Sequence, residues 1–478
     1  MHGPLLDDST ESVPGSWTPL SRWWTRPAGG AEVLRVAAPL VASSVSWTAL
    51  TFIDRVFLKW ESGESMSAAF GASAAWFAVL CLPLGICAYV NTFVAQYHGD
   101  EQPRMIGPAA WQGVYVALLS TPLLAAAVWG APLMFGWAEH APHVTDLEVR
   151  YFRIVCYGGL GMWIAQALSC IYSGRGLTWV NMWIDAAFAG VNAVLDYCWI
   201  FGHFGFPALG IEGAAWATTV SLWLKGAFYL ALVLRARNRR ELGTDVLRFD
   251  PELFRRLLRF GAPSGAQMLL DVSGFTVFIL MMGKLGPSAA EATALAFSVN
   301  MVAFMPIWGI GMGGSILVGQ HLGENRDDLA ARATSTAMVV ACVYAVAIAL
   351  LYVAAPGWFL DPFFAGSGGA DDAGIYATAT RLLWFVAAYT VFDAVQLVYV
   401  CTLKGAGDTR YIMLVSLAMA ALLASSAWLA VTRLGVGIYG CWTLIIAWLL
   451  ALAVLYFLRY RAGHWRSMRV IEMIHAPQ

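Results

Sequence analysis

Two stretches of this chain repeat one glycine-rich turn. Residues 171–182 read IYSGRGLTWVNM and residues 402–413 read TLKGAGDTRYIM, so two glycines, a threonine and a methionine recur at the same spacing. Gly174 and Gly405 lie 231 positions apart, and the other matched residues keep that offset. A match of this kind indicates that the chain contains two copies of one structural unit.

Further matched segments support the two-copy organisation. Pro39 and Pro263 lie 224 positions apart, and so do Gln96 and Gln320, each of which is followed three residues later by a glycine. A Gly-Ile-x-Gly segment recurs at an offset of 227. The matched pairs come in the same order in both halves, so chance similarity is a poor explanation for them.

The hydrophobic content of the chain places it in a membrane. Hydrophobic residues make up 59% and charged residues 12% of the 478 positions, which is too apolar for a soluble protein of this length. Twelve apolar stretches are long enough to cross a hydrocarbon core about 30 Å thick. They cover approximately residues 33–56, 68–97, 105–129, 150–172, 181–202, 212–234, 257–283, 291–320, 331–354, 379–403, 411–432 and 437–459. The predicted fold class is an all-α membrane protein with twelve transmembrane helices.

Each copy contains six spans, so both copies enter the membrane from the same side. Two such parallel repeats are related by an axis along the membrane normal and enclose a central cleft at their interface. We therefore predict a disordered cytoplasmic tail at 1–30, an N-lobe at 31–235, a cytoplasmic linker at 236–256, a C-lobe at 257–460 and a cytoplasmic tail at 461–478. Within the linker, Asp250 and Pro251 predict the start of a short helix, because the acid can cap it and the proline can open it.

The distribution of basic residues predicts the orientation. With the N-terminus inside, 21 of the 29 lysines and arginines fall on the cytoplasmic side, seven fall on the far side, and Lys225 lies within a span. This asymmetry follows the positive-inside rule. We expect a multi-pass protein of the plasma (inner) membrane with both termini in the cytoplasm.

Five aspartates lie in or at the ends of spans, where a carboxylate costs roughly 2.5–3.5 kcal/mol on insertion scales. They are Asp54, Asp185, Asp196, Asp271 and Asp393. In the first copy, Asn192 and Asp196 are four residues apart on one helical face, while Asp54 and Thr218 come from spans 1 and 6. Oxygens from these three spans could surround Na⁺, or the two acids could share a proton.

Structural explanations compete for some of these acids. Asp54 precedes Arg55 and Lys59, so an ion pair at the surface is an alternative for it. Asp185 opens span 5, where a capping or interfacial role is the favoured interpretation. For Lys225, snorkelling toward the membrane surface is favoured over pairing with one of the acids.

The second copy distributes its polar residues differently. Span 11 has Ser425 and Ser426 in place of an Asn and an Asp. Polar stripes instead follow spans 7 and 10, and Asn300 of span 8 is a possible addition. The stripes consist of Ser264, Gln267 and Asp271 on span 7, and of Tyr389, Asp393 and Gln396 on span 10. Such stripes face a cavity or another helix.

The sequence contains no arrangement typical of an enzyme. Its eight histidines lie in tails or at span ends, so none pairs for a metal or nucleophilic site. The glycines at 309–314 lack the lysine and the preceding strand of a phosphate-binding loop. We expect no enzymatic activity, no cofactor and no nucleic-acid partner.

Taken together, these segments resemble the multidrug and toxic compound extrusion (MATE) transporters over nearly the whole chain after the tail. The resemblance rests on the prolines that open spans 1 and 7, Phe52-Ile53-Asp54, the Val-Ala-Gln and Val-Gly-Gln span ends, Asn192-Ala193-Val194-Leu195-Asp196, and Phe392-Asp393-Ala394-Val395-Gln396 leading into Leu403-Lys404-Gly405. It implies a twelve-helix antiporter that expels cationic or amphipathic compounds in exchange for Na⁺ or H⁺.

By position, Asp54, Asn192, Asp196 and Thr218 resemble the N-lobe cation site of some members, and Asp271 and Asp393 resemble the C-lobe acids of others. Two features depart from the family. Phe297 stands where some members have a polar residue, and the first glycine turn lacks the aspartate of the second.

Aromatic and methionine side chains are expected to line the cleft, where flat cations bind through cation–π and dispersion contacts. The candidates are Trp47, Met301, Met305 and Trp308, together with the polar residues Gln267, Asn300, Tyr389 and Gln396. We expect organic cations as substrates, membrane lipid as surroundings and a monomer as the functional unit.

Two other functions compete with drug export. A lipid-linked oligosaccharide flippase of the same superfamily would need buried cations for its anionic substrate, and Lys225 is the one candidate against five buried acids. A membrane receptor would leave the acid stripes unexplained and has no large soluble domain to support it.

Overall fold

The computed structural model describes residues 19–137, 141–364 and 372–473. These residues form sixteen α-helices and two short 3₁₀ helices. In chain order the α-helices are α1 (Pro19–Thr25), α2 (Gly30–Glu61), α3 (Gly63–Gly99), α4 (Ile106–Leu119), α5 (Thr121–Gly136), α6 (Pro142–Ser173), α7 (Thr178–Phe201), α8 (Ile211–Val233), α9 (Ala236–Leu242), α10 (Pro251–Gly283), α11 (Pro287–Gly323), α12 (Asp327–Ala354), α13 (Pro356–Phe364), α14 (Asp372–Ala406), α15 (Thr409–Thr432) and α16 (Ile438–Arg461).

The prediction of twelve membrane spans is confirmed. Twelve helical segments of the described chain are long and apolar enough to cross a membrane. The third span consists of a 3₁₀ turn followed by α4 and α5, with a break at Ser120 just before Pro122. Proline removes a hydrogen-bond donor and opens helices well, so this residue starts a new helix within the span.

The two copies of the sequence repeat fold into lobes with the same internal packing. In the first lobe α3 packs on α6, α6 on α8, and α2 on α7. The equivalent helices of the second lobe pack in the same pairs: α11 on α14, α14 on α16, and α10 on α15. The offset repeats in the sequence therefore correspond to equivalent helix pairs in space.

The first turns of α2 and α10 cross between the lobes. Val33 and Val36 of α2 pack in a hydrophobic cluster of the second lobe, whereas Leu253 and Leu257 of α10 pack in the core of the first. Each lobe thus buries the start of the other lobe's first helix. Apolar burial of this kind stabilises the lobe interface where both helices begin.

The lobes meet at the membrane face that holds both ends of the described chain, which we call the terminal side. There a Cβ on Gly99 of α3 would lie 1.9 Å from the carbonyl oxygen of Gln320 of α11. At the equivalent position of the repeat, a Cβ on Gly323 would lie 2.3 Å from the carbonyl oxygen of Gln96. Only glycine permits two helix backbones to approach so closely.

A cleft opens between the lobes away from the terminal side. Gly313 and Gly309 of α11 pack against Ala37 and Val41 of α2. Farther along the same face of α2, Val45 is 55% and Phe52 is 66% exposed. Val302, which lies about two turns from Gly309 on α11, is also exposed. The facing helices therefore change from contact to separation toward the far side of the membrane.

The structure corrects the predicted boundaries of the tail and the linker. The disordered tail predicted at 1–30 is wrong for residues 19–30, which include α1, the fully buried Ala28 and the first residue of α2. Residues 1–18 lie outside the described residues. Asp250 caps a helix as predicted, accepting from the backbone nitrogens of Glu252 (3.0 Å) and Leu253 (3.1 Å). That helix is α10, which continues through the membrane, so the first C-lobe helix begins inside the predicted linker.

Candidate functional site

Three of the predicted cation-site residues come together inside the N-lobe. Asp196 and Asn192 lie one turn apart on α7 and are 0% and 1% exposed, and Asp54 of α2 is 8% exposed. The carboxylates of Asp54 and Asp196 are near enough to interact electrostatically. The pairing of α2 with α7 brings these residues together, although they lie more than 130 positions apart in the sequence.

Asn192 links Asp196 to α8. With its amide nitrogen toward Asp196, Asn192 donates to Asp196 Oδ2 over 2.9 Å, and its oxygen accepts from the backbone nitrogen of Thr218 over 3.2 Å. In the opposite amide orientation the Asn192 oxygen would face the Asp196 carboxylate, and the Asn192 nitrogen would face the backbone N–H of Thr218. Thr218 thus joins the cluster through its backbone, and its neighbour Thr219 uses its hydroxyl to donate to the carbonyl oxygen of Ile154 (2.9 Å).

Two carboxylate oxygens of this cluster have no hydrogen-bond donor in the described structure. They are Oδ1 of Asp54 and Oδ1 of Asp196, and both are shielded from solvent. A buried, unpaired carboxylate is costly, so it favours uptake of a proton or of a cation. An oxygen-only set of ligands suits Na⁺, and two interacting acids also suit one shared proton.

The surface ion pair considered for Asp54 is not what the structure shows. Its side chain points into the lobe, and the guanidinium of Arg55 lies over the ring of Phe70, 4.8 Å from the centroid. Among the described side chains no ion pair within 4.0 Å joins Asp54 to Arg55 or Lys59, although the Arg55 guanidinium is near enough to Asp54 to interact with it electrostatically. Asp54 therefore belongs to the cluster inside the N-lobe.

Tyr151 of α6 is an addition to this cluster that the sequence analysis missed. Its side chain is buried, and it lies near enough to Asp54 and Asp196 to interact electrostatically with both. The hydroxyl of Ser73 donates to the Tyr151 oxygen over 3.4 Å. No spacing rule links residues of spans 1, 4 and 5, so only the packing of α6 in the fold reveals this contact.

Lys225 of α8 forms an ion pair with Asp185 of α7, with Nζ 2.6 Å from Oδ1. Both side chains are about one quarter exposed, at 23% and 24%. The preference for a snorkelling Lys225 is therefore wrong, because the two charges face one another between adjacent helices. Of the two roles favoured for Asp185, capping is wrong, because α7 begins at Thr178, about two turns earlier. This pairing leaves Asp185 outside the Asp54–Asp196 cluster.

Asp271 of α10 occupies a separate polar cluster in the C-lobe. It is hydrogen-bonded to the amide of Gln267, and Ser416 of α15 lies beside it, 3.2 Å from the hydroxyl of Tyr456. Lys404, in the second glycine turn, lies near enough to interact electrostatically with Asp271. This half-buried lysine is a second cation near a span acid that the sequence analysis did not identify.

Asp393 of α14 lies in a third cluster with Tyr389, one turn before it on the same helix. Both side chains are buried, and the Tyr389 hydroxyl has no hydrogen-bond partner in the described structure. The Tyr389 ring stacks on Trp442 with centroids 6.4 Å apart. The amide oxygen of Gln396 is also buried without a partner. The neighbours of Asp393 and of Asp271 differ, so the two C-lobe acids do not form a pair like Asp54 and Asp196.

A family model described as MatE matches residues 39–198 and 263–429 of this chain. The chain belongs to the MatE family. The two matched segments correspond to the two lobes and contain all five span acids. The MatE match therefore also appears as two copies, in agreement with the internal repeat.

Individual relatives agree with the MatE assignment. A probable multidrug resistance protein NorM of Bradyrhizobium diazoefficiens is 32% identical over 430 residues, which is 86% of this chain and 88% of the relative. A probable multidrug resistance protein NorM of Shewanella oneidensis is 26% identical over 92% of this chain and 97% of its own. The multidrug resistance protein PmpM of Pseudomonas aeruginosa is 28% identical over 84% of this chain and 83% of its own.

Solved structures share the fold. An outward-facing multidrug resistance MATE family transporter matches with a TM-score of 0.81 at 17% identity, over 94% of this chain and 99% of that one. The eukaryotic MATE transporter AtDTX14 matches with a TM-score of 0.80 at 19% identity, over 91% of this chain and 96% of that one. At these identities the likeness supports the twelve-helix MATE fold predicted from the sequence.

In this MatE chain the residues predicted to line the cleft occupy different environments. Met305 lies one turn from Gly309 on the α11 face that points toward α2, and it is half-buried. Trp47 and Trp308 are more exposed, at 40% and 39%, while Met301 is half-buried. The polar candidates Gln267, Asn300 and Tyr389 are buried within the C-lobe, and Gln396 is half-buried.

Proposed function

We propose that this chain is a secondary antiporter that exports cationic or amphipathic organic compounds in exchange for Na⁺ or H⁺. The observation that carries the proposal is the pair of buried, unpaired carboxylate oxygens on Asp54 and Asp196, inside the N-lobe of a two-lobed fold. The acids supply a site whose charge changes when an ion binds. The cleft supplies a route that opens to one side of the membrane at a time.

The orientation proposed is the one with both termini in the cytoplasm of a plasma-membrane protein. The arginine-rich residues 235–259 lie between the lobes on the terminal side, as the positive-inside rule requires of a cytoplasmic connection. The cleft then opens to the outside, and the lobe contacts close the cytoplasmic side. The names of two relatives, the probable multidrug resistance protein NorM and the multidrug resistance protein PmpM, agree with export.

The charge distribution favours a cationic over an anionic substrate. Lys225 is neutralised by Asp185, and Lys404 lies beside Asp271, so neither lysine provides an uncompensated positive charge for a pyrophosphate. A flippase for lipid-linked saccharides would need such a charge. Na⁺ and H⁺ both fit the acid cluster, and the proposal includes either as the coupling ion.

Efflux from vesicles tests the proposed function directly. Purified protein in liposomes should move a fluorescent organic cation when either a Na⁺ gradient or a pH gradient is imposed separately, and one of the two should drive most of the transport. Empty liposomes prepared in parallel measure leakage. Transport that follows neither gradient would contradict an ion-coupled antiporter, and uptake of an anionic lipid analogue instead would favour the flippase.

Aromatic and methionine side chains of the cleft should set the substrate spectrum. Changing Trp47 or Met305 to Ala removes a polarisable surface of the kind worth about 0.5–2 kcal/mol toward a flat cation, so affinity should fall roughly 2- to 30-fold. The ion dependence of efflux should stay at that of the parent.

Trp129→Ala is the matched control for these variants, since Trp129 of α5 is 90% exposed and lies far from the lobe interface. Transport of several cations of different shape, measured at equal membrane levels, checks the result. An unchanged spectrum in both cleft variants would place substrate elsewhere, and loss of folded protein would indicate a packing role.

A further inference from the structure

Each of the two matched glutamines of the repeat binds the matched glycine turn of the opposite lobe. Gln96 of the N-lobe donates from Nε2 to the carbonyl oxygen of Gly405 over 3.1 Å. Gln320 of the C-lobe donates from Nε2 to the carbonyl oxygen of Gly174 over 2.8 Å. These two bonds are equivalent under the internal repeat, and together they join the lobes on the terminal side.

The glycine turns present these carbonyls because their first glycines pack tightly in their own lobes. A Cβ on Gly405 would lie 2.6 Å from the carbonyl oxygen of Ser315, and one on Gly174 would lie 2.7 Å from Val94 Cβ. The third residue of each turn, Gly407 or Gly176, has a φ of +113° or +75°. Both turns therefore need glycine to hold the carbonyl toward the opposite lobe.

The C-terminal segment breaks the symmetry of this arrangement. Gln96 Oε1 also accepts from the backbone nitrogen of Val470 over 2.9 Å. Within the described chain Gln96 therefore makes two hydrogen bonds to C-lobe segments, and Gln320 makes one to the N-lobe. Gln102 of the N-lobe donates to the carbonyl oxygen of Glu472 over 2.9 Å, and the Glu472 carboxylate pairs with Arg256.

Residues 464–473, which we call the strap, are held at both ends. At one end Trp465 stacks on Tyr460 with centroids 5.1 Å apart, and Arg466 pairs with Asp327 of the C-lobe over 3.2 Å. At the other end Val470, 2% exposed, packs with Ile471 into the N-lobe core. The strap thus runs from one lobe to the other over the closed side of the cleft.

We propose that the strap is a releasable lock on the terminal side, and that the cleft opens there only after residues 470–472 leave the N-lobe. Separation of the lobes would draw the glycine turns away from the glutamines and would pull the strap from Gln96 and Gln102. Opening must break these bonds together, because the strap is fixed to the C-lobe at Trp465 and Arg466. The inference goes beyond the proposed function, since it concerns a conformational step rather than substrate or ion.

Spin-label distances in the full chain test the lock. Arg104 and Asp328 are exposed on the terminal ends of the two lobes, so labels on the pair Arg104→Cys and Asp328→Cys report lobe separation. The eight native cysteines are buried or half-buried, and labelling of the parent chain measures their background. The measurement in lipid nanodiscs needs neither substrate nor an ion gradient, so its result is independent of whether efflux is observed.

Matched variants distinguish the contribution of the strap from that of the two repeat-related glutamine bonds. Gln96→Met and Gln320→Met remove the amides with little change in side-chain length. Val470→Pro removes the backbone donor to Gln96 and keeps an apolar side chain, and Val470→Ala is the control for the change of side chain. With one hydrogen bond worth about fivefold in population, Gln320→Met should raise the open-to-closed ratio about fivefold and Gln96→Met about five times more than that. Val470→Pro should raise it more than Val470→Ala, which keeps the donor.

A double variant gives the decisive comparison, since Val470→Pro should add little in a Gln96→Met background where its bond partner is already gone. Equal shifts for Gln96→Met and Gln320→Met, or for Val470→Pro and Val470→Ala, would overturn the proposal. If Gln96→Met fails to fold, the comparison of Val470→Pro with Val470→Ala tests the proposal by itself. Residue 470 lies outside the spans, so these two variants leave the membrane helices unchanged.

Discussion

The Asp196→Asn variant is expected to reach the membrane at the level of the parent protein and to lose ion-driven efflux by roughly a hundredfold. That factor corresponds to the cost of about 2.5–3.5 kcal/mol for an uncompensated charge in the membrane, which a bound ion relieves in the parent. Asp196 is fully buried, and its Oδ1 has no donor in the described structure. An asparagine has no charge for an ion to relieve.

The fold of the N-lobe should tolerate this change. The oxygen of an asparagine at 196 can accept from the Asn192 amide as Asp196 Oδ2 does, and its nitrogen takes the place of the unpaired oxygen. The variant resembles the aspartate in its protonated form. An ion biases the equilibrium between two transporter states only if it binds them unequally, so a site fixed as neutral removes the bias and leaves the helices in place.

Asp185→Asn provides the matched control, because it makes the same substitution on the same helix at an acid paired with Lys225. It should affect the amount of folded protein more than the ion dependence of efflux. Efflux under separate Na⁺ and pH gradients, at equal protein levels, distinguishes the two. If Asp196→Asn transports at the parent rate with unchanged ion dependence, the cluster is structural and coupling must be sought at Asp271 and Asp393.

The fold was predictable because hydrophobic length and an internal repeat determine most of it. A span must satisfy its own backbone hydrogen bonds in lipid, so twelve long apolar stretches become twelve helices. Matched segments such as those at Gly174 and Gly405 then relate the helices in pairs. The helix start at Asp250 and Pro251 was predicted, but its continuation into the first C-lobe span was missed, since residues 251–256 are too charged to be counted with a span.

The site was only partly predictable, because helical spacing places residues on a face but does not say which faces meet. The spacing of Asn192 and Asp196 was sufficient to group them, and the cost of a buried acid added Asp54. Tyr151 lies on another helix at no regular spacing from either acid. The Lys225–Asp185 pair depends on the register between α7 and α8, which a single sequence does not contain.

The Gly99→Ala variant is expected to disfavour closure of the terminal side and to reduce efflux roughly tenfold. A methyl group at this position would lie 1.9 Å from the carbonyl oxygen of Gln320, which belongs to the backbone and cannot turn aside. Overpacking of this kind costs about 1–3 kcal/mol. The clash exists only while the lobes touch. The substitution therefore destabilises the state that is closed on the terminal side and does not affect the state in which the lobes have separated there.

Gly323→Ala should act in the same direction, since its Cβ would meet the carbonyl oxygen of Gln96 at 2.3 Å across the same repeat-related crossing. Gly130→Ala is the control, because a Cβ there has no atom of the described residues within 4 Å and alanine favours a helix by about 1 kcal/mol over glycine. Labels at 104 and 328 should show a longer distance in the first two variants and the parent distance in the third. A parent-like distance and rate in Gly99→Ala would mean that α3 and α11 yield at this crossing, and that the lobe contact there does not control which side is closed.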